Sequence, residues 1–277
     1  MGRFANSLTL GKESWNVLRQ DKELAAIPVV SAVACSVVAV AFGGAVYTTL
    51  TIVSDPVPGQ DAVQASPVSY AVGVVGLMFV GIVAQFFTGV LIAGANERLE
   101  GGHPTLSTAA RRAWSCFTPI IGWAAINVTV GLVLQAIADR TGPLGAIVLR
   151  VVGMAWNVVT WLTLPAIVIE GTGPVAGIKR SVHLLKSTWG ENLIAQGGLG
   201  LLGVLIILPG VVVFGAVTAA GLPIVGLPLL FIYVAVAIAI VSALTGIFRA
   251  ALYRYAVGLP NTGAFSDAQL AGAFKVR

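Results

Sequence analysis

LGAIVLRVVGMAWNVVTWLTLPAIVIEGTGPVAGIKRSVHLLKSTW, residues 144–189, is the stretch that decides the fold. It opens on an apolar run, 144–169, longer than the ~20 residues a helix needs to cross a bilayer. A glutamate, three small residues and a proline then break the run, and a segment with four basic or imidazole side chains follows. Glycine ends one helix and proline opens the next at its first turn. The pattern predicts a spanning helix that turns at the membrane surface into a short basic helix lying in the headgroup plane.

Five further apolar runs surround this one. They cover 25–53, 68–94, 119–138, 193–218 and 223–248, which gives six expected spans. Pro28, Pro119 and Pro223 stand near span starts, where a missing N–H costs little. Pro165 and Pro209 fall inside spans four and five, where they predict a kink or an end. The chain is 57% hydrophobic and 10% charged, with a mean hydropathy of +0.93. Soluble domains sit near 25% charged, so a bilayer is the solvent that suits this composition. A pI near 9.5 does not indicate nucleic acid, because the basic residues flank apolar runs and form no basic tract with interleaved aromatics. Residues 3–23 are too polar, and the run after them too long, for a cleavable leader.

The charges orient the bundle. Of the 16 Lys and Arg, 14 fall on one side of the six runs, leaving Arg140 and Arg150 on the other. The excess of Lys and Arg on cytoplasmic connections places both termini in the cytoplasm, and an even number of spans agrees. The expected location is the plasma (inner) membrane, multi-pass.

The basic segment after span four has two relatives. Glu100-Gly101-Gly102-His103-Pro104 leads into TLSTAARRAWSCF, as Glu170-Gly171-Thr172-Gly173-Pro174 leads into VAGIKRSVHLLKSTW. SLTLGKESWNVLRQDKEL near the start is a third basic segment with a tryptophan. The expected architecture is an all-α polytopic bundle of six transmembrane helices in one integral membrane domain, 1–277. Three amphipathic interfacial helices, 3–23, 105–118 and 174–190, each precede a pair of spans, as three repeats. The pairs cover 25–94, 119–169 and 193–248, and 257–277 forms a cytoplasmic tail. In the third helix Val175, Ile178, Val182, Leu185 and Trp189 are expected on one apolar face. Arg19, Lys22, Arg111, Arg112, Lys179, Arg180 and Lys186 are the candidate contacts to anionic headgroups or a protein partner. Each such cation near an anionic leaflet contributes ~1 kcal/mol.

Polar groups inside spans are the default place to seek function. The candidates are Asn157 and Thr160, which share a helix face, with Glu170 and Arg249 expected to pair at the cytoplasmic rim. Asn127, Gln135 and Arg150 are further polar positions, and Arg150 is placed to snorkel outward. No nucleotide loop, hydrolase elbow or cofactor motif occurs. His103 and His183 have no second ligand at metal spacing. Cys35 and Cys116 fall at different depths and read as unpaired.

The opening 1–31 carries the pattern SW-x-VLR-x-DKEL-x-x-x-P, on Ser14, Trp15, Val17, Leu18, Arg19, Asp21, Lys22, Glu23, Leu24 and Pro28. With AWNVVTWLTLPAIVIEG (155–171), KRSVHLLKSTWGENLI (179–194) and SALTGIFRAALYRYA (242–256), it resembles an uncharacterised family of bacterial and archaeal integral membrane proteins, a domain of unknown function. More distantly it is similar to the membrane domains that accompany some glycerophosphodiester phosphodiesterases, whose catalytic domain has no counterpart here. The resemblance implies fold and location and carries no activity. The function expected from the residues is a non-enzymatic membrane protein that binds lipid or a partner, such as an accessory subunit of a membrane complex. A transporter or channel for a lipid or small solute is the alternative, and an intramembrane enzyme ranks third.

Overall fold

The computed structural model describes residues 14–15, 22–53, 62–189, 198–219, 221 and 223–261. Five helices among them are long and apolar enough to cross a membrane, so the chain is a multi-pass membrane protein of helical architecture.

Helix α1 runs Lys22–Thr48, and Pro28 lies inside it rather than at its start. The expected span 25–53 therefore stops early. Leu50–Val53 forms strand β1 and Ala62–Ala65 strand β2, an antiparallel pair with Leu50 opposite Ala65. The reason lies in the residues Thr48, Thr49, Thr51, Ile52 and Val53. Their β-branched side chains favour extended backbone. The hydroxyls of Thr48 and Thr49 also donate to the carbonyls of Ala45 and Val46, at 2.8 and 2.7 Å, closing the helix. Helix α2, Pro67–Leu99, begins at a capping box between Ser66 and Ser69. Both serine hydroxyls also donate to Thr49 O, at 3.0 and 2.8 Å, which ties α1 to α2.

Helix α3, Leu106–Ser115, is capped by Thr105, and the Glu23 carboxylate accepts from its Leu106 N–H. Helix α4 is Phe117–Ala138. Span four is two helices, α5 at Pro143–Val159 and α6 at Thr163–Glu170. Pro165 accounts for the break, since it has no N–H for the Trp161 carbonyl and its ring crowds that carbonyl. Helix α7 is Pro174–Trp189, α8 is Gly198–Ala219 with Pro209 inside, and α9 is Pro223–Ala256. Of the fifth expected span, 193–197 lie outside the described residues, and Ile207–Ala219 is a shorter apolar helix. Of the first expected interfacial segment, 3–23, Ser14 and Trp15 are helical and Lys22 begins α1; the tail 262–277 lies outside the described residues.

Helix α2 is central and packs on α1, α3, α4, α6 and α9, whereas α5 touches α4 and α7. The buried core collects at one end of the bundle. It takes in Val90–Ala95 and Leu99 of α2, Ala109 and Ala113 of α3, Leu162–Val168 around α6, and Ala243–Tyr253 of α9. Small residues allow the close approach. A Cβ on Gly94 would stand 2.6 Å from Leu24 Cδ2, and one on Gly246 would overlap Leu91. At the other end α1, α5 and α9 present Val37, Val40, Ile147, Val148, Phe231 and Ile232 at the surface.

The side of α7 that packs on the protein shares Leu185 and half-buried Ile178 with the expected apolar face and adds small residues. Gly177, Ser181, Leu184 and Leu185 are buried, while Val175 and Val182 are exposed. A Cβ at Gly177 would meet Thr163 O at 3.2 Å, so this glycine lets α7 press against the broken span. Two small residues at helical spacing outweigh larger apolar ones because the contact needs proximity to backbone.

Candidate functional site

The gap in span four defines the middle of the site. Ending α5 at Val159 frees backbone groups that the protein must satisfy from within. Ser181 does this from α7. Its hydroxyl donates to Val159 O at 2.7 Å and accepts from Leu162 N–H at 3.0 Å. Thr160 is buried and its hydroxyl donates to Trp156 O at 2.6 Å.

A crevice of about 430 Å³ lies above the gap, between α4 and α5. Asn127, Gln135, Asp139, Arg150 and Asn157 supply its polar lining, with Leu134 and Leu149 among the apolar residues. It extends from the Asp139 end of the helices down to Asn157, about 16 Å along α5 from Ala146 at ~1.5 Å per residue. Trp156 closes the lower part. Its indole N–H donates to Asn127 Oδ1 at 3.1 Å, and its ring stacks on Trp123 with centroids 6.3 Å apart. Gln135 donates to Asp139 at 2.9 Å. Arg150 and Asn157 are exposed, and among the described residues neither has a hydrogen-bond partner. Small side chains explain why the crevice stays open, since Gly131 and Gly153 lie on its facing walls.

The opposite end holds most of the ordered charge. Arg180 donates to Glu170 at 2.9 Å. The carboxylate that accepts from it holds the Arg180 guanidinium above its ordinary value. Arg254 is 3% exposed and donates to Glu100 at 2.8 Å, Asn96 at 2.9 Å and Pro260 O at 2.6 Å. Arg112 reaches the last turn of α6, donating to Val168 O and Ile169 O at 2.9 Å each. Those carbonyls form the negative end of the helix and lack helical partners. The glycines after both glutamates are left-handed, Gly101 at φ 89 and Gly171 at φ 72, and each glutamate accepts from an arginine of another helix.

The candidates therefore separate. Arg112 and Arg180 are spent on the protein itself. Arg111, Lys179 and Lys186 are exposed and have no partner among the described residues. Arg19 lies outside those residues, as does the Lys22 side chain. Asn157 and Thr160 part company, one facing the crevice and the other buried at the gap. Glu170 pairs with Arg180 and not with Arg249, because the EGxxP turn folds α7 back so that Arg180 reaches the carboxylate first. Arg249 instead lies with its Cζ 4.5 Å from the centre of the Trp161 ring. Ser181, Tyr253 and Arg254 matter to the site and are absent from the sequence-derived candidates. The i, i+4, i+8 series Gly177, Ser181, Leu185 carried the signal for Ser181, and the two glutamates of the EG turns carried the signal for Arg254.

A family model for a family of unknown function (DUF6159) matches residues 68–263. The matched range includes the gap, the crevice and the paired arginines, and excludes the N-terminal pattern at 14–28. No curated protein and no solved structure matches.

Proposed function

We propose, from the premise that the chain belongs to this family of unknown function, that the protein binds phospholipid in its outer crevice and has no catalytic role. Arg150 within the α4–α5 crevice is the observation that carries the reading. A guanidinium at membrane depth is costly and marks a functional position by default. Asn127, Gln135, Asp139 and Asn157 line the same crevice, while Ile147, Val148, Val151 and Met154 line the adjoining exposed surface of α5. A headgroup at Arg150 with acyl chains along that surface meets both kinds of chemistry.

The membrane frame follows from helix lengths and charge. Helices α2 and α9, at 33 and 34 residues, extend ~50 Å against a hydrocarbon core of ~30 Å. In the proposed frame their packed ends stand in the cytoplasmic headgroup layer, by the positive-inside rule. Helix α8 supplies the sixth span, both termini are cytoplasmic, and the membrane is the inner (plasma) membrane. Exposed Arg111, Lys179 and Lys186 then face anionic headgroups. The matching geometry of the two EG turns supports repetition of an interfacial helix with two spans. The finer likeness to phosphodiesterase-associated membrane domains rests on the sequence pattern alone and brings no activity.

The test is mass spectrometry of lipids retained by protein purified gently from its native membrane. A retained phospholipid class, depleted in Arg150→Leu protein of normal yield, is the expected result. Retention equal to detergent background, or equal in both proteins, overturns the reading. The gap in span four favours transport as a second reading, since broken spans line substrate sites in carriers. Lipid exchange between leaflets of reconstituted vesicles, abolished by Asn157→Leu, is its expected signature.

A further inference from the structure

Arg249 is an oddity among the arginines of the packed end. Arg112, Arg180 and Arg254 each donate to oxygen acceptors. Arg249 has a tryptophan face and no hydrogen-bond partner among the described residues. Its Nε is shut away from solvent and unpartnered, as are Trp161 Nε1 and the Tyr253 hydroxyl. Tyr253 stands one turn beyond Arg249 on the same side of α9. Its hydroxyl lies near enough to the Glu170–Arg180 pair to interact with both, without a hydrogen bond of good geometry. Among the described residues the acids at this end are Glu23, Glu97, Glu100 and Glu170, which accept from Leu106 N–H, the Thr108 hydroxyl, Arg254 and Arg180 in turn.

The chemistry of the cluster is specific. Stacking on Trp161 uses the face of the guanidinium and leaves its edge free, and that edge is a planar fork of N–H donors. The Trp161 indole N–H has no acceptor, and the Tyr253 hydroxyl, one turn along α9, lies near the Glu170–Arg180 pair. The cluster has donors in excess, one net positive charge on Arg249, and a nearby carboxylate that Arg180 neutralises. An anion with several acceptor oxygens satisfies it, and bidentate Arg–phosphate pairing is the geometry such a fork prefers. Arg249 lies seven residues before the last residue of α9, about 10 Å along the helix.

We propose that Arg249, Trp161 and Tyr253 form a phosphate-binding site at the packed end of the bundle, separate from the outer crevice. The phosphate is either the diester of a phospholipid in the adjacent leaflet or free inorganic phosphate. Arg249 is the direct ligand and Trp161 holds its plane. Tyr253 supplies a further donor.

The experiment is thermal unfolding of the full chain carrying Arg150→Gln, which sets the crevice aside, in detergent. One arm titrates inorganic phosphate against chloride at matched ionic strength. The other adds phosphatidylglycerol against a phosphate-free glycolipid. Stabilisation by phosphatidylglycerol alone identifies a headgroup site, and stabilisation by phosphate as well identifies a site for the free anion. In either case Arg249→Gln abolishes the effect. Arg249→Lys and Tyr253→Phe keep the core filled and serve if Arg249→Gln does not fold. Each removes a charge-assisted hydrogen bond or its donor, and Arg249→Lys weakens the apparent affinity about tenfold or more. No stabilisation beyond the chloride and glycolipid controls, or stabilisation equal in the Arg249 and Tyr253 variants, overturns the proposal.

Discussion

The two ends of this bundle use the same residue types to opposite effect. At the basic end, Leu99, Ile247, Leu252 and Tyr253 are at most 1% exposed, and Arg112, Arg180 and Arg254 each donate to protein oxygens. At the other end Val40, Tyr47, Val148 and Phe231 are 61–77% exposed, and Arg150 has no hydrogen-bond partner among the described residues. In the proposed membrane frame the solvent explains the contrast. Apolar side chains exposed to lipid cost nothing, because lipid tails are as apolar as leucine and provide no hydrophobic drive between helices. Where helices emerge into headgroups and water, the same side chains must be buried by protein. The basic end is therefore packed like a soluble domain, with α3 and α7 as its outer layer.

Core truncation is the largest expected contrast. Leu252→Ala should cost about 2–5 kcal/mol, the range for buried leucines. Val148→Ala should change stability by less than ~0.5 kcal/mol, the range for surface changes away from special features. Both are read by denaturation in mixed micelles, and equal costs would break the comparison.

Ser181→Ala comes next. It leaves Leu162 N–H and Val159 C=O unsatisfied in the interior, at about 1–3 kcal/mol. Ser181→Thr, which keeps the hydroxyl but adds a methyl where α7 presses on the gap, separates hydrogen bonding from packing. Hydrogen exchange at 159–163 should accelerate in the alanine variant before it does elsewhere.

These two predictions bear on what was legible in the sequence. Pro165 announced the gap, and the EGxxP turns announced the helix ends at Leu99 and Glu170. Helix α1 ran past its true end on paper because Thr49–Val53 is as apolar as the helix before it. Hydropathy does not register that these residues are β-branched and that the threonine hydroxyls bond back. The side of α7 that packs on the protein is not legible from apolar spacing, because Gly177 and Ser181 are buried by their smallness. Glu170 was matched to Arg249 by depth, since linear sequence does not show that the turn brings Arg180 closer. The crevice residues Asn127, Gln135, Arg150 and Asn157 were visible as polar positions, but their convergence depends on α5 standing away from the centre.

The pair itself supplies a smaller effect. Glu170 and Arg180 have side chains 29% and 38% exposed, so the bridge contributes about 0.2–1 kcal/mol. Reversing either charge should lower the unfolding midpoint, and Glu170→Arg with Arg180→Glu should restore part of it. Additive losses in that double-mutant cycle would show that the bridge has no net worth. Asn157→Leu is the smallest in stability, within about 0.5 kcal/mol, yet it should deplete the lipid retained in the crevice. A stability loss as large as that of Ser181→Ala would make Asn157 structural.

The solvent contrast between the two ends is tested most directly by spin labels placed singly at Val148, Ile232, Trp114 and Lys179, with Cys35 and Cys116 replaced by Ala, in reconstituted bilayers. Collision with oxygen should dominate at Val148 and Ile232, and collision with a water-soluble nickel chelate at Trp114 and Lys179. Nickel access at Val148 and Ile232 equal to that at Lys179 would place the open end in water and contradict the account.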